Sequence, residues 1–142
     1  MILLDTNVIS EPLKALGDAN VLAWIDAQII ETLYLSTISL AELRFGIAAL
    51  PEGKRRETLH ASLEQRVLPL FAGRILSFDE PASQAYATLR SRARVAGKAI
   101  APADGYIAGI AATQGFTVAT RDTAPFEAAG LAVINPWTWK AH

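Results

Sequence analysis

The sequence predicts an α/β fold, a parallel sheet with helices packed on both faces. Five short apolar runs rich in β-branched residues punctuate the chain: "MILL", "TLYLS", "RILSF", "FTVAT" and "LAVIN". Between them lie segments with helical periodicity. Strands that are continuously apolar are those covered on both sides, and their alternation with helices builds βαβ units.

"MILL" runs straight into Asp5, Thr6 and Asn7. After "GDAN", Leu22, Ile25 and Ile29 recur at helical spacing, and Leu40, Leu43, Ile47 and Leu50 do the same after "TLYLS". "KRRETLHASLEQRV" reads as a further helix whose basic start, Lys54, Arg55 and Arg56, is a solvated face. Tyr86, Leu89 and Ala93 mark the helix after "RILSF". "ADGYIAGIAATQG" places Ile107, Ile110 and Ala111 on one face and stops at Gly115, before "FTVAT", a short "TAPFEAAG" helix and "LAVIN".

At 142 residues, 51% of them apolar, the chain is expected to form one domain, residues 1–142, with a real core. No repeat, linker or low-complexity tract interrupts it. The apolar run nearest to a membrane span, "LYLSTISLAELRFGIAAL", carries Glu42 and Arg44. The N-terminus lacks the basic start of a signal peptide. The absence of cysteine excludes disulfides and thiolate metal sites and fits a reducing cytoplasm. A net charge of −1 excludes a strongly basic nucleic-acid-binding domain but not a locally basic face.

Right-handed crossovers place functional loops at the strand carboxyl ends, near the switch in strand order. Four acids fall there. Asp5 follows "MILL", Glu42 lies one turn into the helix after "LYLS", and Asp122 follows "FTVAT" and Arg121. Asp104, in "APADGYIAG", starts the helix that feeds that strand. Each also suits an ordinary helix start. Asp5 and Asp122 can cap, Ser39–Glu42 matches a capping box, and Pro102 before Asp104 suits a first turn. Together, however, four converging carboxylates repel one another and resist ionisation. A divalent cation reverses that, and Mg²⁺ or Mn²⁺ suits an all-oxygen cluster.

Such a site supports phosphodiester hydrolysis by a metal-activated water, with no protein nucleophile. His60 falls within a helix and His142 ends the chain, so a Ser–His–acid arrangement has little support. Neither "GxxxxGK[ST]" nor "GxGxxG" occurs.

"LLDTNVISE", "STISLAELRFGI", "APADGYIAGIAATQGFTVATRD" and "FEAAGLAVINPW", in this order, resemble the PIN-domain ribonucleases, most of all the VapC-type toxins of bacterial toxin–antitoxin pairs and their FitB-like subgroup. The resemblance covers nearly the whole chain. It implies a three-layer α/β/α sandwich that binds one or two Mg²⁺ or Mn²⁺ ions and cuts RNA. The family's acids fall on Asp5, Glu42, Asp104 and Asp122, with Glu42 acting directly or through water. Thr6 and Thr120 would steady the carboxylates or their waters. A homodimer and an inhibiting antitoxin are implied as partners. Two positions depart from the pattern. Pro125 stands where relatives often carry another acid, leaving the fourth acidic role to Asp122 alone. Gly105 stands where they usually have Ala, which predicts only a slightly weaker helix.

Arg121, beside the acids, is the candidate phosphate contact, because its planar fork matches a phosphate. Arg90, Arg92, Arg94 and Lys98 in "LRSRARVAGK" are close enough to meet phosphates, although a solvated basic face is the simpler reading. Trp137 and Trp139 are expected to fasten the tail, and Trp24 to lie in the core or an interface. Two rival readings remain. A phosphoacceptor receiver domain would use Asp79 but lacks a lysine at a strand end; a non-catalytic binding module would use the acids only as caps.

Overall fold

The structure, a computed structural model, describes residues 1–141; His142 lies outside the described residues. All five apolar runs are strands: β1 (Ile2–Leu4), β2 (Leu33–Ser36), β3 (Ile75–Leu76), β4 (Thr117–Ala119) and β5 (Val133–Ile134). They form one parallel sheet in the order β3-β2-β1-β4-β5. The order reverses between β1 and β4. The crevice beyond their carboxyl ends is therefore the switch point at which α/β sheets bind ligands.

Among the described residues seven α-helices cover the sheet: α1 (Thr6–Ile9), α2 (Ala19–Ala27), α3 (Thr37–Ala48), α4 (Lys54–Ala61), α5 (Glu80–Val95), α6 (Pro102–Gln114) and α7 (Thr123–Ala128). Side chains alternate across a strand, so the sheet divides the apolar residues between two cores. Leu4, Leu33, Leu35 and Ala119 pack against Val8, Val21, Trp24, Leu40, Leu43 and Ile47 on one face. Leu3 and Val118 pack against Ala82, Leu89, Ala93, Ile107, Ile110 and Phe126 on the other. These are the three layers expected of an α/β/α sandwich. Helix α6 is buried continuously from Ile107 to Ala111, because α5 covers it from outside. Among the described residues no helix is long and apolar enough to cross a membrane.

Several local expectations need correction. In α2 the buried positions are Val21 and Trp24 rather than Leu22 and Ile25. The helix ends before Ile29, which is exposed. Leu50 likewise lies beyond α3. The "KRRETLHASLEQRV" helix is regular only to Ala61 and widens into a π-helical turn over Ser62–Val67. The tail behaves as expected. Trp137 and Trp139 pack against the first core, and Asn20 Nδ2 donates to both of their carbonyls at 2.9 and 3.2 Å.

Gly105 is also more than a weak point in a helix. A Cβ there would lie 2.8 Å from Tyr86 Cε2 and 3.0 Å from Arg90 Cδ. The missing side chain is the space those two residues occupy. Gly109 is more restrictive, since its Cβ would meet the Ala82 carbonyl oxygen at 2.7 Å. The two glycines let α5 lie close against α6.

Candidate active site

β1 ends at Leu4, and the chain turns helical at once. The Asp5 carbonyl accepts from the N–H groups of Val8 and Ile9, while the Asp5 N–H still donates to Ala119 of β4 at 2.9 Å. Asp5 is thus the last residue tied to the sheet and the first of the helix. Its side chain is fixed at both oxygens. Oδ1 accepts from the Thr6 N–H at 2.8 Å, and Oδ2 accepts from Thr120 Oγ1 at 2.8 Å. Asp5 does cap α1, as the simple reading has it, yet capping accounts for only one of these bonds.

Thr120 is fully buried just past β4. Its hydroxyl donates to Asp5 and accepts from the Asp122 N–H at 3.1 Å, which folds the chain so that Asp122 follows beside the same crevice. Asp122 occupies the position before α7, but its side chain makes no capping bond. Its carboxylate is exposed and uncommitted.

Glu42 is not part of a capping box. The cap of α3 is Ser36, whose Oγ accepts from the Ser39 N–H at 3.0 Å, because the chain becomes helical directly after β2. Ser39 is therefore inside the first turn, and Glu42 lies one turn further on. Thr6 Oγ1 donates to Glu42 Oε1 at 3.2 Å and lies 2.9 Å from Ser39 Oγ. Thr6 and Thr120 thus touch two different acids from opposite sides of the crevice.

Asp104 stands in the first turn of α6, after Pro102 at its start. Burial pushes its carboxyl up to about 6, with further contributions from the charges of Asp5, Asp122 and Glu42. Asp5 is also raised, mainly by burial; the Thr120 and Thr6 hydrogen bonds oppose the shift and Asp122 adds to it. These couplings place the four predicted acids in one electrostatic cluster. Among the described residues the ion pairs are Lys14–Glu11 and Arg44–Glu64, and neither involves a member of the cluster. The cluster therefore carries uncompensated negative charge, as a cation site would.

Among the described residues no three acids or histidines close around a single point as a ready-made cage. The donors on offer are carboxylate and hydroxyl oxygens, without thiolate or imidazole, a set that suits an oxygen-seeking cation. Surface cavities of about 760, 560 and 780 Å³ are lined by other residues.

Asn7 is a residue that sequence reasoning passed over. Its Nδ2 donates to Thr120 Oγ1 at 3.4 Å, and its Oδ1 accepts from the Arg121 N–H at 3.3 Å, so it staples the exits of β1 and β4 together. Its place two residues after Asp5 in "LDTN" was the available signal. Arg121 is exposed, with its guanidinium 5.3 Å from the centre of the Trp137 ring. Asp79 caps α5 by accepting from the Ala82 N–H at 3.0 Å and follows β3 at the sheet's edge. A phosphoacceptor role would need it at a middle strand. His60 lines a cavity with Arg44 and Glu64, away from the four acids.

A parallel sheet in this order with an acidic crevice at its switch point is the arrangement of a PIN domain. The model of that family, described as "PIN domain", matches residues 2–131, and the chain belongs to the family. Among its relatives, the VapC ribonuclease Y4jK of Sinorhizobium fredii (strain NBRC 101917 / NGR234) is 64% identical over 137 residues, 96% of this chain and 98% of that protein. Toxin FitB of Neisseria gonorrhoeae (strain ATCC 700825 / FA 1090) is 59% identical over 137 residues, 96% of this chain and 99% of that one. The crystal structure of FitAcB from Neisseria gonorrhoeae superposes with a TM-score of 0.94 at 58% identity, covering 98% of this chain and 100% of that one.

Proposed function

We propose that this chain is a divalent-metal-dependent endoribonuclease, the toxin of a type II toxin–antitoxin pair, with residues 1–142 forming a single nuclease domain that acts in the cytoplasm. The observation that carries the reading is the convergence of Asp5, Glu42, Asp104 and Asp122 on the crevice between β1 and β4, where burial and mutual repulsion raise Asp104. Relatives named as a ribonuclease and as a toxin support it.

Asp5, Asp104 and Asp122 would hold one or two Mg²⁺ or Mn²⁺ ions, with Glu42 acting directly or through water. When bound, such an ion supplies a water acidic enough to attack at neutral pH and offsets charge building on the phosphate oxygens. The chain's own residues prepare the place. Thr120 and the Thr6 N–H hold both Asp5 oxygens in a fixed direction. Thr6 orients Glu42. Arg121, its backbone anchored by Asn7 and its side chain over Trp137, would meet a phosphate of the RNA. A homodimer and a cognate antitoxin that covers the acidic crevice complete the proposal.

The test is cleavage of a mixed RNA panel with Mg²⁺, Mn²⁺ or EDTA, with wild type run beside Asp5→Asn. Metal-dependent cutting that the folded variant loses is the expected result. Full metal-dependent activity in folded Asp5→Asn would sink the assignment.

A further inference from the structure

We propose that the basic cavity between the end of α5 and the start of α6 is a second phosphate site, holding an RNA backbone phosphate next to the one cut at the carboxylates; this rests on the ribonuclease reading above. The cavity, about 560 Å³, is lined by Arg90, Ser91, Arg94, Gly97, Lys98 and the Ala99–Ile100 segment. No carboxylate lines it. Neither of the ion pairs among the described residues involves Arg90, Arg94 or Lys98. Among the described residues no ion pair neutralises its positive charge.

Local structure builds the cavity. Gly97 takes φ +75°, the left-handed conformation that ends α5. The Lys98 N–H then donates back to the Ala93 carbonyl at 2.8 Å, and the Gly97 N–H to that of Arg94 at 3.0 Å. This turn brings Lys98 back beside Arg94. Arg90 forms the fixed wall: its Nε donates to the Ile100 carbonyl at 3.0 Å and its Nη1 to Tyr86 Oη at 2.8 Å. A guanidinium has five N–H donors and these bonds use two.

The cavity adjoins the acids through the first turn of α6. The chain that leaves its floor at Ile100 continues through Ala101 and Pro102 to Asp104, and the Arg90 side chain runs along the space left by Gly105. A polyanion held at the carboxylates can thus continue along the first turn of α6 toward this cavity. A different cause for the same charges is compensation of the helix dipole, because cations stabilise a helix C-terminus. Arg92 separates the two explanations. It shares the last turn of α5, yet it turns to the opposite side, where it lines a cavity with Thr88, Ala112 and Thr113. A dipole role predicts similar losses of stability from Arg92 and Arg94 and no change in RNA binding. A phosphate site predicts an effect on RNA binding from Arg94 and Lys98 but not from Arg92.

The experiment measures binding of single-stranded RNA across a salt series, with KM and kcat for cleavage, in wild type, Arg94→Gln/Lys98→Gln and Arg92→Gln. Losing one neutralised phosphate lowers the slope of log affinity against log salt by about 0.7, so the double variant is expected to reduce the slope by about that amount and to raise KM with little change in kcat. Arg92→Gln is expected to match wild type. A double variant with wild-type slope and KM overturns the phosphate site and leaves the ribonuclease reading standing, as does an equal effect from Arg92→Gln. A folded wild type that neither binds nor cuts RNA overturns both.

Discussion

Thr120 Oγ1 donates to Asp5 Oδ2 at 2.8 Å, across 115 residues of sequence, and both side chains are buried. The bond ties the exits of two neighbouring parallel strands on either side of the point where the strand order reverses. It also leaves the Thr120 oxygen to accept from Asp122, so one hydroxyl sets the position of two of the four acids.

Removing that hydroxyl has a specific consequence. Thr120→Val keeps the shape but leaves a buried Asp5 oxygen and the Asp122 N–H without their partner, at a cost of about 1–3 kcal/mol. Denaturant unfolding should show this loss, with cleavage reduced at the same time. Thr120→Ser should retain most of both. Equal behaviour of Val and Ser would mean that the hydroxyl does not matter.

A divalent ion bound only by the folded state must stabilise it, by about 2.7 kcal/mol at one hundred times its dissociation constant. Mg²⁺ or Mn²⁺ is therefore expected to raise the melting temperature of wild type near neutral pH, and to do so far less in Asp5→Asn. No rise in wild type would favour a binding module whose acids serve as caps.

The raised pKa of Asp104 fixes a sign. The folded protein holds this proton up to about pH 6, whereas the unfolded chain releases it near 3.8. Across that window the folded state binds more protons, so stability falls as pH rises from the unfolded value through the folded one and stays lower above it. Asp104→Asn removes the penalty. In EDTA the variant should melt higher than wild type at about pH 7.5, and the difference should vanish at about pH 3.5, where both states are protonated. A gap independent of pH would show that ionisation of Asp104 is not its origin.

At Gly109 the alanine Cβ would press on the Ala82 carbonyl oxygen, which belongs to the backbone of α5 and cannot step aside. Gly109→Ala is expected to destabilise by about 1–3 kcal/mol despite a gain in helix propensity of about 1 kcal/mol. Gly105→Ala meets side-chain atoms of Tyr86 and Arg90 rather than backbone, so it should cost less in thermal denaturation.

The strands and most helices were legible in the sequence because burial on both faces of a parallel sheet demands continuous apolar runs, and those are local signals. The four acids were legible for a related reason: βαβ connectivity sends every strand's carboxyl end to one edge, so residues following strands become neighbours whatever lies between them. What local pattern could not decide was the division of labour among polar groups. Ser36 and Ser39 are equally good caps in sequence, and only the point at which β2 gives way to helix chose Ser36 and freed Glu42 for Thr6. Helical spacing already puts Arg94 with Arg90 and Arg92 on the opposite side of α5, and only the packing of α5 on α6 decided which of those sides closes on Lys98. Asn7 and the space reserved at Gly105 likewise depend on what another element brings within hydrogen-bond or van der Waals distance. Sequence by itself determined which elements form and which edge gathers charge, because those follow from periodicity and chain connectivity. Tertiary structure alone decided which atoms pair, because a hydrogen bond or a steric contact depends on distances of a few tenths of an ångström between residues far apart in the chain.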